Sequence, residues 1–469
     1  MRTIERSSFR DNNGFVFYEN GEIFRAITYA YKENYEHLMK SGLYEYLVKE
    51  NLLISHSENE LKESNGIFKI IKPQKIDFVS YPYEWCFSLL KDAALATLMI
   101  QKIALKYGMT LKDSSAYNIQ FYRGKPVLID TLSFEIYKDN EPWIAYNQFC
   151  KNFLAPLALS ALCDVHLNLM LKNFIDGIPL DIAKNILRKR AFFNPWIFIH
   201  IYLHNYFQLK YSNKDKPVSV NKKWINKNSQ LRLAESLEKI ISGLRIKSSK
   251  TNWSDYYSTQ HHSKTYLTEK KEVVKSYLHK VNPKRVWDVG ANDGEFSKIA
   301  AAGSDVVIAF DSDHNCIEKC YDFIKMNKVQ NLIPLVVDLN NPSPPIGWAN
   351  SERKSLIERL SGDSQSSNND LVLALAIIHH LCISNNIPIG FAAEFLNKIC
   401  KWLIIEFIPK DDPMVKKLLL QRKDIFDNYH VEYFEKEFRK YFSLIDKKSI
   451  ANTNRVIYLM QKNERDTIV

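Results

Sequence analysis

Residues 286–297, VWDVGANDGEFS, constrain this chain more than any other segment. An apolar strand ends in Asp288 and runs through Gly290, Asn292 and Gly294 into the start of a helix. Glycines there let the backbone turn tightly and approach a ligand, and the helix N-terminus offers unpaired N–H groups. In an open α/β sheet a ligand lies off the carboxyl ends of the strands, which is where this loop falls.

The surrounding pattern agrees with that reading. RVWDVG (285–290), DVVIAFD (305–311), LIPLVVD (332–338), LVLALA (371–376) and WLIIEFI (402–408) read as strands. Helical spacing of apolar residues fills 295–302, 315–326, 349–360 and 389–400 between them. Runs this continuously apolar suit strands covered on both faces. FSLID (442–446) and RVIYLMQ (455–461) then predict an antiparallel hairpin closing one sheet edge. The expected fold class is α/β, a C-terminal doubly wound, mostly parallel sheet with a terminal antiparallel hairpin.

A mixed α+β, helix-rich N-terminal domain is expected before it, because 469 residues exceed one ordinary core. Its hairpins turn at Asn20-Gly21 and Arg123-Gly124, with helical periods over 31–51 and 86–107. The boundaries are set at 1–210, 211–252 and 253–469, the middle piece being a basic linker with a short helix at 231–244. Eleven Lys/Arg against three Asp/Glu between Lys210 and Lys250 give +8 of the chain's net +11. The excess is therefore local, which excludes a uniformly basic nucleic-acid coat.

Seven cysteines (Cys86, Cys150, Cys163, Cys316, Cys320, Cys382, Cys400) form no C-x-x-C pair. Mostly apolar neighbours point to buried thiols in a reducing, cytoplasmic compartment, with neither disulfides nor a metal site. The N-terminus has no apolar signal core. Apolar stretches at 153–171 and 192–207 are interrupted by Pro, Asn, His or Asp and read as buried helices. The second, followed by basic residues, alternatively contacts an anionic membrane surface.

Asp311 ends the next strand 23 residues after Asp288, and Asp338 ends the one after that. An acidic residue at that distance binds a ribose diol in nucleotide-type cofactor sites. The D-x-G-x-x-x-G spacing departs from a dinucleotide fingerprint, and Asp288, Asp293 and Glu295 suit a cationic ligand over a diphosphate. The segment from about 256 to 461 resembles the class I S-adenosylmethionine (SAM)-dependent methyltransferases. That resemblance implies SAM as cofactor, its methionine end against Asp288, Gly290, Asn292 and Gly294. Asp311 would take the ribose hydroxyls, Asp338 and Leu339 would flank the adenine, and Ala374 with Leu375 would line the sulfonium side.

Two segments face an acceptor in this reading. ALAIIHHLCISNNIP (374–388) carries His379, His380, Asn385 and Asn386. Methyl transfer to a hydroxyl uses a base near pKa 7, assigned to His380 ahead of His379, with a loop hydrogen bond as the bland alternative. In 338–359, Trp348 either stacks on a sugar or packs in a core. Glu352, Arg353 and Arg359 either position the acceptor or form surface ion pairs. Glu406, ending the fifth strand, is an edge candidate.

Phrases such as SYPYEWCFSLLKDAALATL (80–98), PWIAYNQFCKNFLAPLAL (142–159) and NPSPPIGWANSER (341–353) resemble a bacterial NoeA-like nodulation family over most of the chain. The resemblance implies a saccharide or lipo-oligosaccharide acceptor, hence O-methylation of a glycan. Alternatives are an RNA methyltransferase using the basic linker and a non-catalytic SAM-fold binding protein. The linker holds only Tyr211 and Trp224 for base stacking.

A second constellation is Asp113, Asn118 and Asp130, spaced like the catalytic loop and metal-binding Asp of kinase-like phosphotransferases. Lys112 and Thr131 depart from that pattern, no Gly-rich loop precedes it, and Arg25 stands near where a lysine is expected. The alternative is that these residues cap turns and end a strand.

Overall fold

The computed structural model describes residues 2–59, 66–188, 197–203, 226–246, 264–361, 370–420 and 422–464. The chain divides into two units. Unit 1 comprises Met1–Ser248 and Pro345–Arg353, and unit 2 comprises Ser249–Pro344 and Lys354–Val469.

Unit 1 begins with an antiparallel sheet of β1 (Thr3–Ile4), β2 (Gly14–Glu19), β3 (Glu22–Thr28), β4 (His56–Asn59) and β5 (Ile67–Pro73), ordered β1-β2-β3-β5-β4. The β2–β3 turn forms because Asn20 (φ 54°) and Gly21 (φ 78°) both adopt the left-handed backbone that a tight hairpin needs. Helices Lys32–Lys40 and Leu43–Lys49 replace the single helix expected over 31–51, the break falling at Gly42 with φ 80°. Helix Phe87–Lys106 buries Leu89, Leu90, Ala93, Ala94, Leu98 and Leu105 and is the spine of the unit.

After it come β6 (Met109–Leu111), β7 (Ile119–Tyr122), β8 (Lys125–Leu128) and β9 (Phe134–Ile136). β6 pairs with β9 and β7 with β8. The expected hairpin at Arg123-Gly124 is present, with both residues at positive φ.

Helix Lys227–Gly243 starts four residues before the expected linker helix. Asn226 accepts the Ser229 N–H, and Ser229 Oγ accepts the Asn226 N–H, both at 2.9 Å, a reciprocal cap. It packs on Phe87–Lys106 through Lys102–Glu238 (2.6 Å), so this part of the 211–252 stretch belongs to unit 1. Most of the remaining stretch, and most of 192–207, lies outside the described residues. No helix among the described residues is long and apolar enough to cross a membrane.

Unit 2 is a seven-stranded sheet of β10 (Arg285–Val289), β11 (Val306–Asp311), β12 (Leu332–Val336), β13 (Asp370–Ala374), β14 (Trp402–Phe407), β15 (Phe442–Ser449) and β16 (Val456–Lys462). Its order is β12-β11-β10-β13-β14-β16-β15. The first five are parallel, and β16 enters antiparallel beside β14 with β15 outside it. Chain order reverses between β10 and β13, a switch point where an open α/β sheet leaves a crevice. Helices Glu295–Ala301, His314–Asn327 and Ile389–Ile399 occupy three expected helical segments.

The fourth differs. Within 349–360 only Leu356–Ser361 is helical. Ala349 and Asn350 sit at φ 51° and 52°, which no helix accommodates, and Ile346 bridges back to Arg353. Pro345–Arg353 is thus a looped-out finger folded with unit 1. The helix starts where Ser355 and Glu358 cap each other.

Candidate active site

β10 delivers Asp288 to the switch point almost fully buried, its Oδ2 accepting the Ser297 hydroxyl at 2.5 Å. Burial pushes its carboxyl up to about 7, against the Ser297 hydrogen bond and the Lys270 ammonium. The chain then turns through Gly290 (φ 78°), Asn292 (φ 54°) and Gly294 (φ 81°). A Cβ on Gly290 would stand 2.7 Å from Ile377 Cδ1, and one on Gly294 would stand 2.6 Å from Cys320 Sγ. The protein's own packing therefore demands both glycines, besides any ligand.

The same turn aims backbone donors at the next strand end. Asn292 N–H donates to Asp311 Oδ2 and Asp313 N–H to Asp311 Oδ1, each at 2.8 Å. A carboxylate has about four acceptor sites, and with the Ser312 N–H also bonding this one, capacity for a hydroxyl donor is left over. Burial raises the pKa of Asp311 and these backbone bonds oppose it. Val337 N–H donates to the Asp311 carbonyl at 2.8 Å, which seats the end of β12 alongside.

Asp288, Gly290, Asn292, Gly294 and Asp311 thus form one cluster. Asp338 is exposed and its Oδ1 accepts both the backbone and side-chain N–H of Asn340 at 2.9 Å, with half-buried Leu339 between them. Ala374 is fully buried at the end of β13, and Leu375 nearly so. Ala376 follows with φ 54°, a left-handed turn at a residue with a Cβ.

The acceptor-side residues separate into groups. His379 is 2% exposed and its Nδ1 has no hydrogen-bond partner, while His380 is partly exposed, the two rings 4.0 Å apart. Burial lowers both imidazoles, His380 to about 4, so both are neutral at pH 7 where a base near 7 was expected. Asn385 Nδ2 donates to the His380 carbonyl at 2.9 Å. Asn386 Oδ1 accepts from Arg422 at 2.7 Å, and the same guanidinium holds the Ile383 and Ser384 carbonyls.

Trp348, Glu352 and Arg353 fold with unit 1. Trp348 is 75% exposed, so its ring is no core element. Glu352 is buried against Arg10 at 2.8 Å, and the Arg353 guanidinium lies 4.3 Å over the Tyr117 ring. Arg359 donates to Ser343 Oγ at 3.2 Å within unit 2.

Beneath the cluster lies a buried network that sequence reading reached only at Glu406. Glu406 accepts from Lys270 at 2.6 Å and from Tyr266 at 2.8 Å. Arg455 donates to the Tyr266 hydroxyl at 2.7 Å and clasps Asp412 with two bonds at 2.7 and 3.1 Å. Burial alone would raise the Glu406 pKa, but Lys270 and Arg455 hold it below the ordinary carboxylate range. A charge inside WLIIEFI and another heading RVIYLMQ were the available signals, since a charge in a buried strand needs a partner. Cys320, packed on Gly294, is pushed up to about 12 by burial, and Cys316 is raised likewise, so both thiols stay protonated at neutral pH.

No family model matches the chain. The nodulation protein NoeA of Rhizobium meliloti (strain 1021) is 30% identical over 465 residues, 97% of this chain and 96% of that protein. Among solved structures, the N-methyltransferase NodS from Bradyrhizobium japonicum WM9 with S-adenosyl-L-homocysteine (SAH) has a TM-score of 0.32 and 9% identity. It covers 46% of this chain and 100% of its own. A SAM-dependent methyltransferase from Aquifex aeolicus gives 0.32 and 16%, covering 45% and 100%. The bifunctional kinase-methyltransferase WbdD gives 0.30 and 16%, covering 48% and 46%. At such scores these neighbours add no weight to the strand order itself. The chain belongs to the family of the nodulation protein NoeA.

Proposed function

We propose that the protein O-methylates a saccharide, with SAM seated across Asp288, the Gly290–Gly294 turn and Asp311. The observation that carries this is the glycine turn that follows buried Asp288 and whose Asn292 N–H donates to Asp311, so that one loop links the ends of two neighbouring parallel strands. The donor set fits the cofactor. Ionised Asp288 complements the cationic methionine end, the remaining acceptor capacity of Asp311 suits a diol, and Asp338 with Leu339 flanks the adenine. When bound, SAM supplies an electrophilic methyl on a cationic sulfur.

This chain's residues then have to place one hydroxyl oxygen in line and manage its proton. Positioning carries most of the rate, as in other reactions that make a bimolecular step effectively unimolecular. His380, neutral at pH 7 and partly exposed, accepts the hydroxyl proton as the new bond forms. Its low basicity makes that transfer late and favours orientation of the hydroxyl as its larger contribution. Asn385 and Asn386 offer amides to further hydroxyls, and Arg422 keeps their loop in shape. Unit 1 serves acceptor recognition, where the exposed Trp348 ring gives a sugar a face to stack on.

The saccharide reading draws support from the NoeA relationship and from this polar loop. Incubation with SAM and glycan acceptors gives a product heavier by one methylene, read by mass spectrometry. His380→Ala lowers its rate by about 10²–10⁴ with SAH affinity unchanged. A product methylated on RNA, or on nitrogen, overturns the assignment.

A further inference from the structure

We propose that Lys416, Lys417, Leu420, Lys423 and Ile425 form a surface that docks unit 2 onto an anionic lipid bilayer. All five belong to unit 2, far along the chain from the 192–207 stretch. The surface stands independently of the methyl-transfer reading.

Its segment is PMVKKLLLQRKDIF, residues 413–426. Asp412 caps a short helix, Pro413–Leu419, by accepting the Met414 N–H at 2.9 Å. Leu420 N–H extends that helix by bonding the Lys416 carbonyl at 3.0 Å. Residues three and four apart share a helix face, which puts Lys416 and Lys417 beside Leu420. Val415 is buried, and Leu418 and Leu419 are half-buried. The core thus takes the neighbouring apolar side chains and leaves Leu420 85% exposed, more than any other large apolar residue among those described. Ile425 is 61% exposed. It sits between Asp424, whose Oδ1 accepts the Phe426 N–H at 3.0 Å, and Phe426, whose ring lies 5.1 Å from the Arg422 guanidinium. Both aliphatic side chains therefore project from turns that are held by their own bonds.

The charge around them is one-sided. From Pro413 to Lys423 the chain has four cations and no acid. Arg422 is engaged, its guanidinium holding the Ile383 and Ser384 carbonyls and Asn386 Oδ1. Lys416, Lys417 and Lys423 are exposed, and among the described residues none of the three is in an ion pair. The flanking acids are occupied elsewhere. Asp412 holds Arg455 at 2.7 Å, Asp424 holds Lys410 at 2.9 and 3.0 Å, and Asp411 accepts from the Asn454 amide. Exposed Asp427 lies beyond Ile425, so uncompensated positive charge concentrates around Leu420.

Cations around exposed aliphatic side chains match a bilayer with anionic headgroups. Leu420 and Ile425 enter the acyl boundary, while the lysines keep their ammonium groups at headgroup level and lay their methylene stems along it. The attraction is short-ranged, falling off within a Debye length. A nucleic acid would use the lysines but not Leu420 and Ile425, because bases stack on aromatic planes. A second copy of the chain presents the same positive charge, which opposes self-association through this face. Arg422 ties the segment to the loop carrying Asn385 and Asn386, so docking brings that loop to the lipid boundary.

The test is sedimentation of the full chain with vesicles at low salt. Vesicles of mixed phosphatidylcholine and phosphatidylglycerol carry the protein down, and phosphatidylcholine alone does not. Lys416→Gln, Lys417→Gln and Lys423→Gln each weaken partitioning by about fivefold, and added salt weakens the wild type as well. Leu420→Asp and Ile425→Asp each weaken it by about tenfold. Circular dichroism and SAH affinity stay at wild-type values, since all five side chains face solvent. No sedimentation with the anionic vesicles, or sedimentation that the Leu420 and Ile425 variants leave unchanged, overturns the proposal. Tighter binding to RNA than to vesicles, or a dimer in solution that Leu420→Asp dissolves, also overturns it. SAH affinity is read on the same samples, so either reading can fail without the other.

Discussion

Asp288 and Asp311 show how neighbouring carboxylates acquire different duties from their surroundings. Asp311 is held by backbone N–H groups of Asn292, Ser312 and Asp313. Removing it by Asp311→Ala weakens SAM by about one to two decades in calorimetry, a charge-assisted bond being worth about 1.5–3 kcal/mol. Asp288 is buried, with its pKa pushed up to about 7. A cationic ligand binds its ionised form. SAM affinity therefore rises by up to about tenfold per pH unit as pH climbs toward 7 and levels off above it, with proton release in the acidic range. Affinity flat from pH 5 to 8 would remove Asp288 from the ligand. The strand-end positions of these two were legible because each acid closes an apolar run. The burial of His379 was not, since vicinal histidines in a sequence carry no sign of which one the turn hides.

β14 and the entry to β16 carry charges that fasten unit 2 together. Glu406 lies on β14 and Arg455 just before its antiparallel neighbour β16, and helix Lys264–Val281 brings Tyr266 and Lys270 to them. Lys270→Met leaves Glu406 buried with its main cation gone, and costs about 3–5 kcal/mol in denaturant unfolding. The depressed Glu406 pKa also sets a sign. Its contribution to stability is present above the unfolded carboxylate pKa and is lost as pH falls through the lower folded value. Lys270→Met flattens that acid limb of the stability curve. The elements themselves were largely readable, the five parallel strands and the terminal hairpin falling where apolar runs placed them. The helix expected over 349–360 failed because apolar spacing is blind to backbone sign. Gly347, Ala349 and Asn350 all take positive φ and turn the chain into a finger before Ser355 can start the helix.

Two units of different construction share the chain, one a mixed sheet-and-helix assembly and the other a doubly wound sheet. SAH at a hundred times its dissociation constant stabilises the binding unit by about 2.7 kcal/mol. In hydrogen exchange, that protection is expected at the ends of β10 and β11, with β7 and β8 unchanged. Protection confined to unit 1 would contradict the placement of the cofactor. What the linear order of residues settled is local: alternation of apolar runs, glycines where a strand meets a helix, and acids at strand ends. Burial period and turn chemistry act over a few neighbours, so they survive in one dimension. Three things came only from folding: the partners of Glu406, the neutrality of the histidine pair, and the ion pair of Arg25 with Asp130. Each depends on residues more than a hundred positions apart, or on how much water a packed neighbour excludes, and neither quantity is written in spacing.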